Sequence, residues 1–168
     1  DPDEKINSPT AYAELIAHEF NHSVYFYRKF LLNEITGVTE NIYVTEGMSG
    51  LAQDLTGFNR GNQFVAMAGM TEISSVSLPD IHRYTPGAGY DEARDGALRG
   101  ASYLFLRYLF DQAGGEIMDD AGNFEASCGS QLLHNWINSP LTMPELAVEV
   151  TGLPYGELAA NWFTALAL

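Results

Sequence analysis

The residues with the clearest chemical potential are His18-Glu19-Phe20-Asn21-His22 and, further along, Glu46. Residues four apart on a helix lie one above the other, so a helix through this stretch projects His18 and His22 from one face. Two imidazoles on consecutive turns can close on a single zinc ion at about 2.0–2.1 Å. Glu19 is one residue round from His18, near enough to touch a water on the metal and poorly aimed to be a ligand. This is the H-E-x-x-H arrangement of a metal-dependent hydrolase. The plainer reading is an amphipathic helix with two partly buried histidines and a surface glutamate. A third ligand separates the two.

The elements that must position these groups are readable. Ser8 is a good N-cap and Pro9 suits the first helical position. Ala13, Ile16, Ala17, Phe20, Val24, Tyr27 and Leu31 then recur at helical spacing, which predicts one helix from Ser8 to Leu32 with that face buried. Asn33 to Gly37 reads as a turn. A second helix is expected from Asn41 to Thr56, stopped by Gly57, with Ile42, Val44, Met48, Leu51, Ala52 and Leu55 as its apolar face. Glu46 falls in its early turns, beside Gly47, whose missing side chain permits close approach of a neighbouring helix. With His18, His22 and Glu46 a metal has three protein ligands and a fourth position for water. Without the histidines, Glu46 reads as a solvent-facing acid favoured by a helix N-terminus. Asp54, on the same face as Glu46, reads either as a surface aspartate or as a partner for the second ring N–H of a ligand histidine.

H-E-x-x-H followed after 23 intervening residues by Glu46, within Thr45-Glu46-Gly47-Met48-Ser49, resembles the gluzincin zinc metallopeptidases. Within that clan the chain is most similar to the hyicolysin-like secreted bacterial proteases. Their H-E-F-x-H matches His18 to His22, and their N-E-G/M-x-S-x-x-A-x-D matches Glu46 to Asp54, with Thr45 where Asn is usual. The similarity runs on through Gly100 to Phe105, Tyr108 to Gln112, Thr151-Gly152 and Asn161-Trp162. It implies a zinc endopeptidase with His18, His22 and Glu46 on the metal and Glu19 as general base, acting on protein or peptide in a secreted or cell-surface setting. The family often has Tyr just before Gly-Ala-Ser, whereas this chain has Arg99. If that Tyr stabilises the oxyanion, the role here is vacant or passes to Tyr90, Tyr103, His82 or His134, each of which also has a structural reading. The same three ligands would serve a zinc hydrolase of non-peptide substrates, or a non-catalytic binding module that retains a metal site.

Composition bounds the rest. The 168 residues suffice for one domain with its own core, and 46% are hydrophobic against 18% charged. With 22 acidic and 8 basic residues the formal charge is −14, which disfavours nucleic acid and anionic membrane as partners. No apolar run approaches membrane-spanning length. Cys128 is the single cysteine, so no intrachain disulfide forms. The chain opens at Asp1-Pro2 with no initiator Met or targeting tract, and reads as a piece of a longer protein. Helices are further expected at Asn62 to Val76, Asp91 to Ala113 (ended by Gly114-Gly115), Ser127 to Asn138, Pro144 to Thr151 and Tyr155 to Leu166. Pro79 to Gly89 reads as a loop that could border a cleft. Asp119 to Asn123 reads as a plain turn without the ligand spacing of a calcium loop. The fold class is mainly α, with about seven helices. By the resemblance, it is the helical half of a gluzincin catalytic domain, the N-terminal β-sheet lying outside this chain.

Overall fold

A computed structural model of the protein describes residues 9–32, 34, 40–58, 62–72, 92–118, 121, 124–126 and 128–167. Among these residues the protein is mainly α-helical. Helix α1 spans Pro9–Phe26 and runs on as a π-helical stretch, Tyr27–Leu32, so the long helix expected here changes its winding in the last six residues. Ser8, its expected cap, lies outside the described residues, as does most of the Asn33 to Gly37 turn.

Helix α2 spans Ile42–Leu55 because Asn41 caps it, its side-chain oxygen accepting from the Tyr43 backbone N–H at 2.9 Å. It stops where Gly57 turns to φ 78°, a left-handed conformation that costs glycine nothing. Helix α3 covers Asn62–Thr71 and α4 covers Glu92–Gln112. After α4 comes a hairpin that the sequence reading did not foresee, β1 (Ile117–Met118) paired antiparallel with β2 (Phe124–Ala126) through a bulged register. Strands of two and three residues are too short to show an alternation. The Asp119 to Asn123 turn falls between them, all but Ala121 outside the described residues. Helices α5 (Cys128–Ile137), α6 (Met143–Thr151) and α7 (Tyr155–Ala167) complete the chain. At the start of α6 the Glu145 carboxylate accepts from the Thr142 N–H at 2.8 Å and from its hydroxyl at 2.7 Å. These two bonds hold the Glu145 carboxyl below its ordinary pKa.

The helices gather into two compact units. The first contains α1, α2, α3 and α4 as far as Leu104, with Tyr25, Val44, Met48, Leu51, Leu98 and Ala101 buried in it. Its helices meet at glycines. A Cβ on Gly47 would lie 2.7 Å from backbone atoms of Ser102 and Tyr103, and one on Gly69 would lie 2.5 Å from the backbone of Gly100 and Ala101. The close approach expected at Gly47 is thus made to α4.

The second unit contains residues 27–40, the rest of α4, the hairpin and α5 to α7. Trp162 packs edge-on against Phe105, ring centroids 5.5 Å apart. Here Lys29 is fully buried, its ammonium donating to the Leu141 carbonyl at 2.7 Å and lying 5.5 Å from the Trp136 ring centroid. Burial pushes its pKa down, against the opposing charges of Glu40 and Glu145. A lysine whose folded pKa lies below its unfolded value of 10.5 makes stability rise with pH between those two values. Lys29→Ala should therefore cost about 2–4 kcal/mol through the lost stem and the cavity. Lys29→Met, which keeps the volume, should cost less, because Trp136 Nε1 still donates to Leu141 at 3.1 Å. It should also flatten the alkaline rise. Thermal unfolding of both variants across alkaline pH is the measurement.

Candidate metal centre

Two helices of the first unit bring three donor groups together. Helix α1 sets His18 and His22 on consecutive turns, their Nε2 atoms 3.2 Å apart and their rings edge to face. Helix α2 supplies Glu46, whose Oε2 lies 3.2 Å from His18 Nε2 and whose Oε1 lies 3.4 Å from His22 Nε2. A tetrahedral ion with bonds of about 2.0–2.1 Å has ligand atoms about 3.3 Å apart, so these separations suit one ion among them. Among the described residues, this trio is the group of histidines and acids that can hold a metal ion. Glu46 is the most enclosed at 13 % side-chain exposure and His22 the most open at 28 %, so solvent reaches the cluster on the His22 side.

The face of α1 that carries the site differs from the face expected to be buried. Ile16 and Phe20 are 65 % and 67 % exposed, and Tyr27 and Leu31 are exposed as well. The side turned to α2 is polar: Glu14, His18, Asn21 and His22 lie there in part-buried contacts, with Tyr25 buried just beyond. Asn21 Nδ2 donates to the Ser49 hydroxyl at 3.1 Å, and Gln53 Nε2 donates to the Glu14 carbonyl at 2.7 Å. Both stripes of α1 obey the same 3.6-residue period. The polar one wins because α2 offers it Glu46, Ser49 and Gln53, one turn after another.

Two partners of the site escaped sequence reasoning. Gln53, not its neighbour Asp54, approaches the second nitrogen of a histidine, its Oε1 lying 3.3 Å from His18 Nδ1. Arg99, on α4, pairs through Nη1 with Glu46 Oε2, and its Nε donates to Asp95 Oδ2 at 2.8 Å. The Asp95–Arg99 pair is readable as an i,i+4 couple, but a contact 53 residues distant is not. Glu19 is exposed on α1, close enough for its charge to act on His18. Of the other candidates, Tyr103 lies half-buried on α4 beside Gly47, and His134 is exposed on α5 in the second unit. His82, Tyr90 and the Pro79 to Gly89 loop lie outside the described residues.

The electrostatics follow from these contacts. Burial alone would push the Glu46 carboxyl up, but hydrogen bonds from His18 and His22 and the Arg99 charge outweigh it and hold the group ionised far below its ordinary range. For His18, burial acts downward. The bonds to Glu46 and Gln53, with the charges of Glu46 and Glu19, outweigh it and raise the pKa above 6.5. No family model, curated protein or solved structure matches the chain.

The raised His18 value has a pH signature. The metal-free protein gains stability from this group below pH 6.5 and loses it as pH climbs through the raised folded value. A metal must displace that proton, so its affinity is full above the raised value and falls about tenfold per pH unit below it. The thermal shift produced by added zinc should therefore grow with pH while the metal-free midpoint declines. A zinc-induced shift that shrinks with rising pH would contradict this assignment. Gly47→Ala offers a second check. Overpacking against α4 backbone should cost about 1–3 kcal/mol, more than the roughly 1 kcal/mol of helix propensity gained. It should also weaken zinc binding by displacing Glu46.

Proposed function

We propose that the protein is a zinc-dependent endopeptidase of the gluzincin type. The observation that carries this reading is the convergence of His18 Nε2, His22 Nε2 and the Glu46 carboxylate at separations of 3.2–3.4 Å. Two imidazoles and one carboxylate, with no thiolate, suit zinc better than magnesium or calcium, which take oxygen ligands. Zinc held there would polarise a scissile carbonyl and acidify a water. Glu19, exposed on the same helix, would accept the attacking water's proton and return it to the leaving amine. Hydrogen bonds from His18 and His22 and the charge of Arg99 outweigh burial and keep the third ligand deprotonated across the working range of pH.

The choice of a peptide bond rests on the resemblance of Glu19 and its flanking motifs to secreted metallopeptidases, and so does a secreted or cell-surface location. The charge of −14 argues against nucleic acid as a partner. Among the described residues no helix is long and apolar enough to cross a membrane. One observation favours a rival reading, a structural polar cluster: Arg99 already gives Glu46 a cationic partner.

Zinc content and turnover of an unfolded protein substrate separate these readings. Glu19→Gln should keep stoichiometric zinc and lose about 10²–10⁴ in rate, since an amide cannot accept the proton. Glu46→Ala should lose zinc first. Wild-type protein without transition metal after purification free of chelator would instead favour the polar cluster. Loss of zinc in Glu19→Gln, with activity per bound zinc intact, would reverse the two roles.

A further inference from the structure

We infer that Gln53 is the positioning residue of the candidate metal centre, locking His18 into the tautomer that presents Nε2 to the ion. The inference rests on the metal reading above, but its first step is independent of any metal. Gln53 is buried, so both ends of its amide need partners. Its Nε2 has one in the Glu14 carbonyl at 2.7 Å, one helical turn before His18. A carbonyl can only accept, so the amide has one tolerable orientation. Turned over, it would set Oε1 against the Glu14 oxygen, two acceptors in contact.

That orientation leaves Oε1 facing His18 Nδ1 at 3.3 Å. An amide oxygen also only accepts, so His18 carries a proton on Nδ1. In the metal-free protein Nε2 donates as well, to Glu46 Oε2 at 3.2 Å; an ion that displaces this second proton would take the Nε2 lone pair, with Nδ1–H still held by Gln53. Gln53 thus reads the Glu14 backbone of α1 at one end and hands the result to a ligand on the next turn.

Two substitutions divide positioning from simple packing. Gln53→Met keeps the shape and removes both bonds. Gln53→Glu keeps the acceptor for Nδ1–H and loses the donor to Glu14. Both should lower the thermal midpoint. Zinc affinity, measured by competition with a chromophoric chelator, should split them: about 10–100-fold weaker in Gln53→Met and within a few-fold of wild type in Gln53→Glu. Affinity in Gln53→Met within twofold of wild type would overturn the inference, as would equal losses in both variants.

Nitrogen NMR of the metal-free protein reads the Gln53 bond directly. Wild type should show a His18 Nδ1–H protected from solvent exchange, and Gln53→Met should lose that protection. An unprotected Nδ1 in wild type would overturn the inference whether or not zinc binds. If wild type bound no zinc yet kept a Gln53-dependent Nδ1–H, the metal reading would fall and the positioning bond would stand.

Discussion

The first unit depends on the polar seam between α1 and α2. Helices in a small domain ordinarily meet through apolar stripes, and here the two that meet exchange carboxylate, imidazole, amide and hydroxyl groups instead. Such a seam gains little from the hydrophobic effect, and every buried polar atom in it needs a partner. The partners are supplied in register: Glu46 to His18 and His22, Ser49 to Asn21, and Gln53 to His18 and Glu14. A shift of α2 by one turn would break all of them together. The seam therefore specifies one arrangement of the two helices, and with it the geometry of the three donors.

What the seam lacks in apolar burial is made up on other sides of α2. Val44, Met48 and Leu51 are buried, and Gly47 lets the helix sit against the backbone of α4. That contact also brings Arg99 to Glu46. The charge pattern follows: Glu46 shares the Arg99 guanidinium with Asp95, and Glu19 adds a further negative charge nearby. Because Asp95 offsets part of the Arg99 charge, the cluster keeps a net attraction for a cation. The same arginine makes the metal-free state tolerable, since an enclosed carboxylate facing only neutral imidazoles would be costly.

The outward side of α1 has a different character. Tyr12, Leu15, Ile16 and Phe20 are all exposed, and Glu19 stands among them.

Much of this protein was determined locally and could be read without coordinates. Asn41 and Gly57 bracket α2, Gly114 and Gly115 end α4, and Gly152 ends α6, because caps and left-handed turns depend on a few adjacent residues. The pairing of His18 with His22 follows from helical pitch alone. Which stripe of α1 turns inward did not follow, since an apolar and a polar stripe share the same period and only the partner helix chooses between them. The naming of Glu46 anticipated a contact that tertiary structure alone could place. Gln53 and Arg99 were decided entirely there. A glutamine carries no titratable signal, and the arginine reaches Glu46 across 53 residues of chain, so only the packing of α1, α2 and α4 gives either one its part.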